Sequence, residues 1–181
     1  MWGASLSHDD GYRYELSGGK VTRMMIKVSR AHWRVSKNVL IELSRIIDGT
    51  RFEAGPAEFG VKTGVGVRYP DVTVDQRNEQ LKDLACEAPT LIVEVLSPSS
   101  IALDMTTKQR EYTAIPSLQT YLVCSQDEPR AWVWKRQPDG TRPVDAEEIV
   151  GRDGVIALGG LEAELSMAAI FRGIPDAPTA G

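Results

Sequence analysis

The sequence predicts a mixed α/β fold with helices flanking a central mixed sheet. Two apolar, β-branched runs, Val72-Thr73-Val74 and Leu91-Ile92-Val93-Glu94-Val95-Leu96, have the composition of buried strands. An amphipathic segment from about Arg30 to Asp48 has the period of a helix packed on them. The elements run strands, helix, strands, helix, strands, which interleaves the two types through the chain.

Arg13 to Leu16 and Val21 to Ile26 predict a hairpin around Ser17-Gly18-Gly19, where the glycines supply positive φ. Ser29 is placed to cap the helix and Gly49 to stop it. The apolar face is Val35, Val39, Leu40, Leu43, Ile46 and Ile47, with His32 and Ser36 on its N-terminal extension. Arg51 to Glu53 and Glu58 to Lys62 predict short strands split by Gly55-Pro56. A strand follows over Val67 to Val74, with Pro70 at its entry or edge. Asp75 to Ala88 is a polar connector. Thr90 to Leu96 is the central strand, apolar enough to be covered on both faces.

Ser97-Pro98-Ser99-Ser100 leads into a second helix, about Ile101 to Ala114. Leu118 to Cys124 and Arg130 to Lys135 predict a hairpin around Asp127-Glu128-Pro129. Trp132 and Trp134 there fit core packing better than base stacking. Val155 to Leu158 is expected as the final strand and Leu165 to Phe171 as a short helix. Residues 1–174 are expected to form a single domain and 175–181 a flexible tail. No membrane span, secretory leader or CxxC pair is present in the sequence. The natural setting is the cytoplasm, with Cys86 and Cys124 as free thiols.

The net charge of −4 argues against a generally basic nucleic-acid binder, but it is unevenly spread. Leu16 to Ile41 holds six cations and no acid, leaving −10 for the rest. Arg30, Arg34 and Lys37 in that segment are candidates for phosphate-backbone contacts, or for a solvated helix face.

Glu94 carries the strongest chemical signal. A carboxylate inside a buried strand costs free energy unless it is paired or holds a cation. Asp71 and Glu94, on two central apolar strands whose order can converge them at one end of a sheet, fit the one or two carboxylates that Mg²⁺ takes alongside waters and substrate phosphate. Mn²⁺ can substitute. Their apo pKa values are expected to be raised by mutual repulsion and to fall on metal binding. Lys108 then orients the attacking water or offsets charge on the pentavalent phosphate, and Glu15 is the third acid, for a second metal or as a base. Asp104, Lys108 and Tyr112, four residues apart, share one side of the second helix. The bland alternatives are a surface Asp104–Lys108 pair and a turn role for Asp71 after Pro70.

These residues resemble the Uma-type "putative restriction endonuclease" family of the PD-(D/E)XK nuclease superfamily. The resemblance rests on Tyr14-Glu15-Leu16 with Gly19, His32, Pro70-Asp71-Val72 and Val93-Glu94-Val95-Leu96-Ser97-Pro98-Ser99. It continues through Asp104, Lys108 and Tyr112 to Ile115-Pro116-Ser117-Leu118 and Tyr121-Leu122-Val123. It implies a restriction-endonuclease-like fold and Mg²⁺-dependent hydrolysis of DNA phosphodiesters. Asp71 and Glu94 become metal ligands, Lys108 the catalytic lysine, Glu15 an accessory acid, and His32 and Tyr112 supporting residues. The superfamily's lysine two residues after the second acid is replaced by Leu96, and Lys108 is expected to substitute for it. A leading helix of relatives is expected to be missing ahead of Tyr14. A homodimer is expected, since cutting two strands favours two-fold symmetry. The rival readings are an inactive nucleic-acid- or protein-binding module and a hydrolase of another phosphate ester.

Overall fold

The computed structural model describes residues 12–25, 28–97, 101 and 103–176. The region ahead of Tyr12, where a leading helix was in question, lies outside them. β1 (Tyr12–Ser17) and β2 (Lys20–Met25) form the expected hairpin, with Gly18 and Gly19 at φ 56° and 76°. Two successive left-handed residues match the twist of the flanking strands, and glycine adopts them without a Cβ clash.

Ser29 caps α1 (Arg30–Ile46), its Oγ accepting the His32 backbone N–H at 3.0 Å. Val35, Val39, Leu43 and Ile47 are buried, with Leu40 and Ile46 packed at the margin. The helix stops before Asp48 and without Gly49. The Asp48 carboxylate accepts the Thr50 N–H and hydroxyl, at 2.9 and 2.7 Å, and this local turn competes with another helical turn.

β3 (Phe52–Pro56), β4 (Gly60–Thr63), β5 (Gly66–Arg68) and β6 (Val72–Gln76) follow. Gly55-Pro56 does not split a strand: both residues lie in β3, an edge strand, where proline's missing N–H is tolerated. The strand expected over Val67 to Val74 is two strands in different sheets, interrupted at Tyr69-Pro70-Asp71. The connector after Asp75 contains β7 (Ala85–Cys86), which pairs in parallel with β4 and buries Cys86. β8 (Pro89–Val95) is buried at every position.

The second helix differs from expectation. A π turn (Leu103–Lys108) runs into a short α2 (Gln109–Thr113), and its expected start at Pro98-Ser99-Ser100 lies outside the described residues. β9 (Thr120–Cys124) and β10 (Arg130–Lys135) form the expected hairpin, joined by β11 (Glu147–Val150), a strand not expected from the sequence. β12 (Val155–Leu158) is not the final strand. It pairs with β13 (Ala163–Ser166), so the segment expected to be helical from Leu165 begins as strand and only Met167–Ile170 is helix, α3. Of the expected tail, residues 177–181 lie outside the described residues.

The larger sheet has the order β11-β10-β9-β8-β6-β3, with β8 and β9 parallel and the other pairs antiparallel. The smaller has the order β2-β1-β5-β4-β7. Parallel neighbours require a crossover, and the π turn with α2 supplies it between β8 and β9. One face of the larger sheet packs Leu91, Val93 and Val95 against α1, α3 and Leu165. The other packs Ile92 and Leu96 against Tyr112, Tyr121 and Val61 of the smaller sheet. The central strand is thus covered on both sides, one of them partly by strands rather than helices alone. Among the described residues no helix is long and apolar enough to cross a membrane.

Candidate active site

β6 and β8 bring the two strand acids together. Val72 pairs with Val93 in antiparallel register, which brings Asp71, just ahead of β6, near enough to Glu94 for its charge to act on the Glu94 carboxyl. The Asp71 Oδ2 accepts the Val95 backbone N–H at 2.7 Å and lies 3.3 Å from His32 Nε2. His32 is itself positioned from α1, with Ser36 Oγ donating to its carbonyl at 3.0 Å and standing 3.4 Å from Nδ1. The capping Ser29 donates to Gln126 Oε1 at 2.7 Å, which ties the start of α1 to the end of β9.

Glu94 lies on the opposite face of β8 from Val93 and Val95, towards the crossover. Its Oε1 accepts from Lys108 Nζ and from Tyr112 Oη, each at 2.9 Å. Lys108 Nζ also stands 2.9 Å from Asp104 Oδ1, and the side chains of Lys108 and Asp104 are 2% and 1% exposed. The Asp104–Lys108 pair is therefore no surface salt bridge but the buried half of a three-residue charge cluster. Burial pushes the Glu94 carboxyl up to about 8; Lys108 opposes the rise, while Asp104 and Asp71 add to it.

The π turn explains how residues spaced by four gather at one carboxylate, with Lys108 and Tyr112 bonded to Glu94 and Asp104 paired with Lys108. In an α-helix a four-residue step overshoots a full turn by about 40°. A π turn holds more residues, so the same step falls short. Asp104 to Lys108 spans the π turn and Lys108 to Tyr112 runs along α2, so the two drifts oppose each other. Tyr121 braces the arrangement from β9, its Oη donating to the Asp104 carbonyl at 3.0 Å. Arg68 on β5 fixes α2 through a bidentate pair with Glu111, both contacts at 2.8 Å.

Six of the residues singled out from sequence thus come together: Asp71, Glu94, Lys108, His32, Asp104 and Tyr112. Glu15 lies on β1, next to Leu16, which pairs with Val67 on the strand leading into Pro70-Asp71; its side chain is outside the described residues. Arg30, Arg34 and Lys37 do not join the site. Arg34, Lys37 and Ile41 follow His32 by two, five and nine residues, which turns them about 140–200° round α1. Trp134 is buried and stacked on Tyr121 with ring centres 5.5 Å apart, and its Nε1 donates to the Val144 carbonyl at 3.1 Å. It is a packing residue. The roles of the Val95 N–H, Gln126, Tyr121 and Arg68 do not follow from the sequence; only Arg68, a cation in an apolar strand before Pro70-Asp71, leaves a signal there.

Among the described residues no three His, Cys, Asp or Glu side chains gather into a metal cage. The two carboxylates nonetheless suit a hard divalent cation completed by water and substrate. Asp71 Oδ1 and Glu94 Oε2 each accept no hydrogen bond among the described residues, while their sister oxygens are anchored.

The chain is 30% identical over 138 residues to the uncharacterized protein slr1290 of Synechocystis sp. (strain ATCC 27184 / PCC 6803 / Kazusa). That match covers 72% of this chain and 66% of the relative, just under two thirds of its length. A crystal structure described as a "putative nuclease belonging to DUF820", from Anabaena variabilis ATCC 29413, has the same fold. It aligns with a TM-score of 0.69 at 18% identity, over 87% of this chain and 89% of that one. The family model Uma2, "putative restriction endonuclease", matches residues 4–168, and the chain belongs to that family.

Proposed function

We propose that this protein is a Mg²⁺-dependent endonuclease that hydrolyses phosphodiester bonds of DNA, working as a homodimer in the cytoplasm from one domain spanning residues 1–174. The observation that carries the reading is Glu94, a carboxylate in a fully buried strand, held by Lys108 and Tyr112 and near Asp71. Family membership supports nuclease chemistry.

In this reading Asp71 and Glu94 would hold the cation, and His32 and the Val95 N–H keep Asp71 in place. When bound, Mg²⁺ or Mn²⁺ lowers the pKa of a coordinated water and offsets charge on the phosphate. Glu15 takes the proton of the attacking water as its oxygen bonds to phosphorus, and the leaving sugar oxygen takes a proton from solvent as its bond to phosphorus breaks. Lys108 supplies the positive charge that faces the phosphoryl oxygens at the transition state. Asp104 pairs with Lys108 and holds its ammonium in place, and Tyr112 orients Glu94.

One observation favours a second reading. Lys108 is already matched by two buried acids, and Leu96 occupies the position of the superfamily's usual lysine. An inactive binding module on the same fold keeps such a cluster for structure alone. Plasmid cleavage in Mg²⁺, with Asp71→Ala, Glu94→Gln and Lys108→Met, separates the two. The endonuclease reading expects wild-type cleavage and a loss of about 10²-fold or more in each variant, the size of one lost electrostatic group. Folded wild type without cleavage of any DNA in Mg²⁺ or Mn²⁺ sinks it.

A further inference from the structure

We infer that a second site, on the outer face of α1, takes a backbone phosphate of the nucleic acid. It is a hollow of about 210 Å³ lined by Arg34, Lys37, Asn38, Ile41 and Arg172. This rests on the nuclease reading and adds a contact, Arg172, from the far end of the chain.

The hollow is a built feature. Asn38, 9% exposed, donates to the carbonyls of Ile170 and Arg172 at 2.9 and 3.0 Å, which pins the segment after α3 against α1. Arg34 Nη1 donates to the Gly173 carbonyl at 2.6 Å. Gly173 has φ 76°, and a Cβ there would stand 3.4 Å from Arg34 Cδ and Nη1, so the close approach suits glycine. These bonds use one of the five N–H donors of Arg34 and leave Lys37 with its ammonium 4.7 Å from the Trp33 ring centre. The Arg172 side chain pairs with Glu42 at 4.0 Å and is 64% exposed.

Three cations around one concave site, with a single acid at its rim, match a phosphate diester better than an isolated lysine does. The hollow lies across α1 from His32. A helix is about 10–12 Å thick, so one nucleic acid can touch both sides of α1 with phosphates a few nucleotides apart. The site therefore acts in grip and placement, not in chemistry.

The test measures anisotropy of a labelled DNA duplex and a labelled single strand, with Ca²⁺ replacing Mg²⁺ so that cleavage does not intervene. Arg172→Gln and Lys37→Gln, both on exposed side chains, are compared with wild type and with Arg77→Gln, an exposed cation elsewhere. Each hollow variant should weaken binding by about threefold to tenfold and lower the salt slope by about one, with Arg77→Gln unchanged. In cleavage assays KM should rise while kcat holds. Equal loss in Arg77→Gln, unchanged binding in the hollow variants, or no wild-type binding to DNA overturns the proposal. So does inorganic phosphate that perturbs the hollow by NMR without competing with DNA, which would mark a free-anion site. The nuclease reading fails separately: a wild type that binds through the hollow but never cuts DNA removes the activity and leaves the hollow standing.

Discussion

Glu94 is where a single residue dictates measurable behaviour. Its carboxyl is raised from an ordinary 4.5 to about 8, chiefly by burial. Below about pH 4.5 it is neutral in both folded and unfolded chains, so it contributes no pH dependence there. Between 4.5 and about 8 the unfolded chain releases the proton and the folded chain keeps it, so stability falls as pH rises. The metal-free protein should lose up to about 1.4 kcal/mol per pH unit across that window, and Glu94→Gln should flatten the slope. Urea titrations at a series of pH values check this; a wild type with the slope of Glu94→Gln refutes it. Metal binding needs the carboxylate, so Mg²⁺ affinity should rise with pH up to about 8 and then level, with protons released to buffer in calorimetry. Glu94 was legible in the sequence because an acid among Leu91, Ile92, Val93 and Val95 has few bland explanations. The Val95 N–H that fixes Asp71 was not, because a backbone donor has no letter of its own.

At the level of elements, the crossover between β8 and β9 decides whether the acids meet their lysine. Its anchor is the Arg68–Glu111 pair, whose side chains are 4% and 11% exposed. Removing one partner of such a pair strands a buried charge, so Arg68→Ala should cost about 3–5 kcal/mol in denaturation. Replacing both, as Arg68→Met with Glu111→Leu, should recover part of that loss, because the two buried charges are removed together. If the double variant is as unstable as the single, the pair does more than neutralise itself. The α1 and β8 elements and the two hairpins were readable from period and turn chemistry. The π turn was not: its residues have an ordinary helical pattern, and the wider turn follows from packing Lys108 and Tyr112 on one carboxylate. The strand break at Tyr69-Pro70-Asp71 was signalled by Pro70, but that the flanking strands enter different sheets depends on distant partners. β13 was hidden for the same reason, since Leu165 and Met167 to Ile170 look alike by composition.

For the whole molecule, the division of charge is informative. The chain is net acidic, yet its basic segment joins Arg172, a residue far along the sequence, at one hollow on α1. That joining was invisible in the sequence, because the side chain responsible, Asn38, reads as a polar residue on a helix rather than a tether. In the proposed endonuclease one chain provides one pair of strand acids and would cut one strand per encounter. Two-fold copies, each acting on its own strand, are the economical way to break a duplex. The dimer proposal therefore expects twice the mass of one chain in sedimentation at working concentration. It also expects supercoiled plasmid to pass to the linear form without a build-up of nicked circles. Diluting below the dimer's dissociation constant should convert the product to nicked circles while slowing the overall rate. Nicked circles as the main product at every concentration, together with a monomeric sedimentation mass, would leave a nickase in which each chain works alone.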